Sequence, residues 1–338
     1  NIIIKANNRL ISKATVLYLN NEEFLIKDEE STDLNYGFYP RSRPIKEYIE
    51  TGVINLDKPP GPTSHEVVAW VKRLLSINRA GHGGTLDPKV TGVLPITLGR
   101  ATRLVSFIMK SGKEYVTVME LHGEVNDDTL KKTISEFTGS IYQLPPIKSS
   151  VKRALRIRKI YSIKILERVG KYVLMKVNCE AGTYIRKLCH DIGEVLGCGA
   201  HMRELRRIRA GPFNEKDSIT LHSLLDAITL WKEKNDESLL RKVILPIEEV
   251  LDFPKIYVRD SAVDAICHGA NLAAPGVLKI SKGIKAGDYV CVMTLKGELI
   301  GIGKALKSSE EILELNHGIV VDIERVIMEP GTYPKSWD

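Results

Sequence analysis

The segment from Arg79 to Leu94 constrains this chain most. It places Gly81, Gly83, Gly84 and Gly92 around Asp87-Pro88 and carries no apolar stripe of helical period, so it is expected to be loop. Glycines allow positive φ and a close approach of backbone to a ligand. Pro88 restricts Asp87 to extended geometry and so fixes where its side chain points. A carboxylate held this way can serve as nucleophile or general base. An Asp before Pro also commonly starts a turn, and on spacing alone the turn is the stronger reading.

Ordered elements are expected on both sides of this loop. Val53 to Leu56 reads as a short buried strand, ended by Lys58-Pro59-Pro60-Gly61-Pro62. Thr63 and Glu66 have capping-box spacing, and Val67, Val68, Val71, Leu74 and Leu75 form the apolar stripe of the helix that follows. Arg100 to Met109 reads as a helix, Tyr115 to Leu121 as an alternating strand, and Asp127 to Phe137 as another helix. Ile160 to Leu166 and Tyr172 to Cys179 flank a Gly170-Lys171 turn and suggest a hairpin. Thr183 is expected to cap a helix with Ile185, Leu188, Ile192, Val195 and Leu196 inside, stopped by Gly197. Strands and helices alternate without βαβ regularity. The expected class is α+β with a mixed or antiparallel sheet.

Beyond this core, Leu221 to Leu251 reads as a helical bridge. After Pro254, short β-like runs (Ile256 to Val258, Asp288 to Thr294, Leu299 to Lys304, Gly318 to Ile323) between glycines suggest a small separate β-barrel or sandwich. Before the core, Ala14 to Leu19 and Phe24 to Ile26 read as edge strands. Arg41, Arg43 and Lys46 form a basic cluster that suits a solvated linker and an RNA or domain contact about equally. The expected divisions are residues 1–48 as an N-terminal extension packing near the last module, 49–250 as the main domain, and 251–338 as the β module and tail.

Charge points to a partner. The net charge of +7 favours a polyanion, although it says nothing of fold. Lys148, Lys152, Arg153, Arg156, Arg158, Lys159 and Lys164 follow one another with no acidic residue between them. Such a run is usually a solvated face. The five cysteines are odd in number and include no Cys-x-x-Cys pair, so a disulfide framework is not expected and a reducing, cytoplasmic setting is. Cys189, His190, Cys198 and His201 lack a standard zinc spacing, and no metal is expected. Charges interrupt every apolar run short of a membrane span, and no signal-peptide layout opens the chain. The first residue is not Met, so a few residues are expected to precede it. Phosphate loops, dinucleotide fingerprints, serine elbows and His-Glu-x-x-His helices are absent from the sequence.

The motifs taken in order change the reading of Asp87. Gly52 to Val67 reads Gly-Val-Ile-Asn-Leu-Asp-Lys-Pro-Pro-Gly-Pro-Thr-Ser-His-Glu-Val. Arg79-Ala80-Gly81-His82-Gly83-Gly84-Thr85-Leu86-Asp87-Pro88 and Thr91-Gly92-Val93-Leu94-Pro95 follow, then Lys113-Glu114-Tyr115, Gly182-Thr183-Tyr184-Ile185-Arg186 and Met202-Arg203-Glu204-Leu205-Arg206-Arg207. This succession, over about residues 49 to 215, resembles the TruB family of pseudouridine synthases. The acidic, glycine-containing insertion of the bacterial tRNA-modifying members is absent after the tyrosine strand, where His122 to Thr129 runs straight into a helix. Val151 to Arg158 and His268 to Gly276 resemble the dyskerin branch. With no lysine-rich tail before Asp338, the archaeal form is the nearer match; a eukaryotic homologue would be nucleolar.

The resemblance implies a pseudouridine synthase domain plus a small C-terminal PUA domain. It implies isomerisation of uridine without loss of atoms, so no cofactor. Asp87 carries over as the catalytic carboxylate; its first bond is open among the sugar, the base and a ribose proton. Arg186 carries over as its cation, Tyr115 as the stacking tyrosine, and Lys58, Leu205 and His82 as pocket residues. Otherwise these would be a solvated helix arginine, a half-buried strand tyrosine, a loop lysine, a core leucine and a turn histidine. The target uridine must leave its stack to reach Asp87, and in this context the run from Lys148 to Lys164 suits phosphate contact. His268, Gly269, Ala270, Asn271 and Pro275 are candidate guide-RNA contacts, or merely a turn. The implied assembly is a box H/ACA ribonucleoprotein: guide RNA, substrate RNA and three small proteins (zinc-ribbon-like, small β-barrel, and kink-turn-binding ribosomal-type). The expected function is RNA-guided isomerisation in ribosomal RNA, with transfer RNA a further target. A stand-alone synthase acting on the tRNA TΨC loop and a non-catalytic RNA scaffold are the alternatives.

Overall fold

A computed structural model describes residues 15–19, 22–109, 112–144 and 154–335. The chain forms two compact units, Arg43–Leu251 and a second made of residues 1–42 with 252–338.

The Arg43–Leu251 unit is built on a mixed sheet. Its strands run in the order Leu245–Pro246, Gly52–Lys58, Thr91–Leu98, Ala200–Ala210, Lys113–Leu121, Tyr172–Cys179, Arg156–Val169 and Gly139–Gln143. Alternation sets the faces. In Lys113–Leu121, Lys113, Tyr115, Thr117 and Met119 turn inward, opposite Cys179, Val177, Met175 and Val173 of the next strand. The Ile185–Leu196 helix covers that face with Ile185, Leu188, Cys189 and Ile192. Val195, expected inside, is exposed. The Ser64–Leu75 helix buries Val67, Val71 and Leu75, and its Thr63–Glu66 capping box is formed.

The stretch from Arg79 to Leu94 is not all loop. Ala80–His82 and Thr91–Leu98 are strands. Gly92 and Pro95 hide the second from a propensity reading, yet seven of its eight residues are buried. One edge of Thr91–Leu98 pairs throughout with Gly52–Lys58. The other edge is shared. Arg206 and Arg207 pair with Thr91 and Gly92 in parallel, and Ala80–His82 pairs antiparallel with Ile96–Leu98. Between the two partners the sheet forks, and the glycine loop Gly83–Val90 leaves from the fork. Two bonds close the gap: Arg207 Nε donates to the Val93 carbonyl at 2.7 Å, and the Gly83 N–H donates to the Pro95 carbonyl at 2.8 Å.

The stretch after Leu221 is part of this unit rather than a bridge. The Leu221–Lys234 helix packs on Ser64–Leu75, and Leu245–Pro246 adds an edge strand to Gly52–Lys58. The basic cluster resolves similarly. Arg43 is buried and grips Glu248 through two bonds of 3.1 and 2.6 Å, so it is neither a solvated linker cation nor an open RNA contact.

The second unit contains the expected β module. Its sheet runs Thr15–Leu19, Glu22–Ile26, Val277–Ser281, Lys255–Val258, Tyr289–Met293, Leu299–Ala305, Ile319–Val326 and Leu272–Ala273. The two N-terminal strands form a hairpin that extends the sheet through Val277–Ser281. Lys27 Nζ donates to the carbonyls of Ile312, Leu313 and Leu315, closing the C-terminal end of the Ser309–Glu314 helix.

The fork depends on Gly92, whose φ is +104°; a Cβ there would lie 2.1 Å from the Arg207 carbonyl oxygen. Gly92→Ala should therefore destabilise this unit by about 3 kcal/mol or more, read as a fall in its urea midpoint. An unchanged midpoint would show that the parallel pairing at the fork is dispensable.

Candidate active site

Asp87 is held by its backbone. Its carbonyl accepts the Val90 N–H at 3.0 Å, closing a turn over Pro88 and Lys89. The turn favoured by local physics thus exists, and it presents the carboxylate. Next to it, Leu86 exchanges two bonds with the buried Ser64 hydroxyl, receiving at its carbonyl (3.0 Å) and donating from its N–H (2.8 Å). The Pro88 carbonyl accepts from the Gly61 N–H and from Lys58 Nζ, both at 2.9 Å. Lys58 also donates to the carbonyls of Pro59 and Val90, each at 2.9 Å. It is fully buried, and desolvation lowers its pKa from the ordinary lysine value.

The Asp87 carboxylate meets the Arg186 guanidinium; both side chains are half exposed. Arg186 is the second residue of the Ile185–Leu196 helix, whose first turn has no acidic residue and no side-chain cap. A cation there opposes the helix dipole, and the Asp87 carboxylate offsets it. Thr183 does not cap: its hydroxyl donates to the Glu180 carbonyl instead. The helix entry is set by the buried Gln143, which accepts the Tyr184 N–H (2.9 Å) and donates to the Tyr184 carbonyl (3.1 Å). Gln143 and Ser64 escaped sequence reasoning because their work is bonding to backbone, which no spacing rule reveals.

Beneath the loop lies a buried polar cluster. Arg207, opposite Tyr115 in register, donates to the carbonyls of Val93 and Gly84. Tyr115 is only 8% exposed, and burial raises its pKa. His82 is half-buried, with its Nδ1 unpartnered among the described residues. Burial, then His65 and Arg207, push its pKa down, so it is a neutral imidazole at neutral pH. The His65 ring stands edge-on to it at 5.0 Å. Leu205 lines a cleft of about 580 Å³ with Pro60, Lys89, Val90, Val116 and Leu174. That cleft begins two residues after Asp87, and Tyr115 and Arg186 are not in its wall.

The expected RNA contacts divide. Lys148, Lys152 and Arg153 lie outside the described residues. Arg156 and Arg158 share a face of their strand with the buried Ile160, whereas Lys159 points to the opposite, exposed face. Arg158 is engaged, donating to the Gly182 carbonyl at 3.2 Å and lying 3.7 Å from Glu180. In the other unit His268, Gly269, Ala270, Asn271 and Pro275 are all exposed, with Asn271 Oδ1 accepting the Ile323 N–H. Among the described residues no three His, Cys, Asp or Glu side chains are grouped to hold a metal ion, and no helix is long and apolar enough to cross a membrane.

Comparison with known proteins decides the family. Residues 72–185 match the TruB family pseudouridylate synthase N-terminal domain, and residues 186–252 the tRNA pseudouridylate synthase B C-terminal domain. Residues 254–327 match a PUA domain, and residues 12–68 a DKCLD domain. Proteins named probable tRNA pseudouridine synthase B are 58% identical in Methanopyrus kandleri, over 94% of each chain, and 54% identical in Archaeoglobus fulgidus, over 94% of this chain and 98% of that one. The chain belongs to the TruB family of pseudouridine synthases. Two solved structures place it nearer still, in the archaeal dyskerin branch. A chain in the structure of an H/ACA RNP bound to a substrate RNA containing 2′-deoxyuridine matches with a TM-score of 0.85 and 53% identity, over 94% of this chain and 98% of that one. A chain in a Cbf5-Nop10-Gar1 complex matches with a TM-score of 0.85 and 55% identity, over 93% of this chain and 96% of that one.

In this TruB-family site, Lys58→Met should remove a buried donor from the carbonyls of Pro59, Pro88 and Val90, leaving Pro88 only its bond from Gly61. A loss of about 3 kcal/mol in unfolding free energy is expected, with faster amide exchange at Val90 as the Asp87 turn loosens. Wild-type stability and exchange in this variant would exclude an anchoring role.

Proposed function

We propose that this protein is the catalytic subunit of an RNA-guided pseudouridine synthase that isomerises uridine in ribosomal RNA, and also in transfer RNA, within a box H/ACA ribonucleoprotein. The observation that carries this reading is the likeness along nearly the whole chain to a protein solved inside an H/ACA RNP with substrate RNA, at 53% identity. The assembly it implies contains guide RNA and three small proteins: a zinc-ribbon-like chain, a small β-barrel chain and a kink-turn-binding ribosomal-type chain. The Cbf5-Nop10-Gar1 complex supports two of these partners.

In this reading Asp87 is the catalytic carboxylate. Arg186 keeps it ionised and aimed, which suits attack on, or proton removal from, a flipped nucleotide. Tyr115 faces the target base from the sheet, with Arg207 opposite it on the neighbouring strand. Lys58 acts from behind by anchoring the turn, His82 sits beside the base as a neutral ring, and Leu205 forms part of the wall. Bond exchange from N1–C1′ to C5–C1′ conserves all atoms of the nucleotide except for the proton released at C5, which is balanced by one taken up at N1. The 254–327 domain, through the exposed His268–Asn271 turn and Pro275, is assigned to the guide RNA, and Arg156, Arg158 and Lys159 to substrate RNA with the basic segment before them.

A second reading is favoured by the names of the relatives, probable tRNA pseudouridine synthase B: a stand-alone enzyme acting on the TΨC loop of tRNA. Tritium release from uridine labelled at C5 separates the two. Release from a ribosomal RNA target only with guide RNA and partners supports the guided enzyme; guide-free release from tRNA supports the second. No release in any assembly would leave a non-catalytic RNA scaffold. Asp87→Asn should reduce release by a factor of about 10⁴ or more while changing RNA affinity less than about threefold. Substantial turnover by this variant would remove Asp87 from the reaction.

A further inference from the structure

One buried cationic side chain has no role in the site described above. Lys113 opens the strand that carries Tyr115, turns to the same inward face, and is 3% exposed. Its Nζ has no hydrogen-bond partner among the described residues. Its neighbours are mostly positive or neutral. Arg207 and Arg209 approach from the Ala200–Ala210 strand, and Cys179 lies opposite it on the Tyr172–Cys179 strand. Burial pushes the Cys179 thiol up to about 12, so it carries no charge at neutral pH. From the glycine loop comes Gly84; a Cβ placed there would be 3.9 Å from Lys113 Cε and 3.4 Å from Arg207 Nη1. Arg209 has its carboxylate partner, Glu114, on the other face of the sheet. His82, which also faces Arg207, is neutral.

An ammonium in that position would be dry, without an acceptor, and near the Arg207 guanidinium. Each condition disfavours the charged form. We propose that Lys113 is a positioning residue that works as an uncharged amine: while neutral it leaves Arg207 free to hold the Gly84 carbonyl beside Tyr115, and its protonation sets the acid limit of the reaction. The proposal rests on the reading of Tyr115 and Asp87 as site residues. Arg207 is the link. It bonds to Gly84 three residues before Asp87 and lies opposite Tyr115 on the neighbouring strand. A second positive charge beside it drives the guanidinium away from the Gly84 carbonyl, and the loop loses its anchor beside Tyr115.

The sign follows from the lowered pKa, about 7 against 10.5 for an ordinary lysine, caused first by burial and then by Arg207 and Arg209. The amine is neutral above about pH 7. Its contribution makes the fold less stable as pH falls from 10.5 to 7, and is constant below. Activity should therefore drop below about pH 7, well above the range near 4 where an ordinary aspartate titrates.

The test uses whichever assembly supports tritium release. In ¹³C-lysine-labelled protein, the Cε resonance that disappears in Lys113→Gln should titrate near pH 7; titration near 10.5 overturns the proposal. Single-turnover rates should fall about tenfold per pH unit below 7 in the wild type. In Lys113→Met and Lys113→Gln that limb should be gone between pH 5.5 and 7, and in Lys113→Arg the rate should be low throughout. An acid limb unchanged in folded Met and Gln variants also overturns it. Should both variants fail to fold, the NMR titration still decides. Tyr115→Phe isolates the premise: wild-type rates in that variant at every pH reject the reading of Tyr115, whereas a slowed Tyr115→Phe beside an unaltered Lys113→Met rejects Lys113 alone.

Discussion

The organisation of the larger unit depends on what Arg207 does at the fork of the sheet. Strands normally satisfy one another's backbone groups, and a sheet that divides leaves carbonyls without donors. Here Thr91–Leu98 changes partner along one edge, and the Val93 carbonyl falls between the two. The guanidinium of Arg207 supplies the missing donor, and another of its nitrogens reaches the Gly84 carbonyl of the glycine loop. A planar, permanently charged group with several fixed donors suits such a junction; a lysine would serve fewer acceptors at once. One buried side chain thus bridges the fork of the sheet and ties the start of its loop to the strand below.

Lysine serves where carbonyls converge on a point rather than lie in a plane. Lys58 gathers three around the Asp87 turn, Lys27 closes three at a helix end, and Lys296 gathers those of Asp33 and Tyr36. Burial taxes each ammonium, and the charge-assisted bonds offset the cost. Lys113 is the contrast: it is as buried as Lys58, and no acceptor meets it among the described residues. The difference between Lys58 and Lys113 therefore lies in the acceptors around them.

Much of this was legible in the sequence because it is local. The capping box of Thr63 and Glu66, the alternation of Lys113–Leu121, the Gly170-Lys171 hairpin and the glycine-punctuated module after Pro254 obey short-range rules. Residues that act through distant backbone were not. Thr91–Leu98 was hidden by Gly92 and Pro95, tolerated only because other groups satisfy that edge. Thr183 met the spacing for a cap, yet Gln143, more than forty positions away, sets the helix entry. Arg43 looked like a surface cation, and its partner Glu248 lies some two hundred residues on. Arg156, Arg158 and Lys159 formed one charge run in sequence, but a strand sends neighbours to opposite faces. The motif resemblance reached Asp87, Arg186 and Tyr115, and said nothing of the groups that hold them.

Those supporting groups explain how a half-exposed ion pair can be well placed. Asp87 and Arg186 are each 51% exposed, and an exposed pair contributes little to stability because water screens it and side-chain entropy opposes it. Their positions must therefore come from elsewhere. Asp87 is fixed by bonds to the residues on either side of it, from Ser64 to Leu86 and from Lys58 and Gly61 to Pro88. Arg186 is fixed by Gln143 at the start of its helix. Rigidity resides in buried backbone bonds, and the reactive carboxylate stays open to solvent. A bulky nucleotide needs this division of labour: a carboxylate secured by its own burial would be well aimed and out of reach.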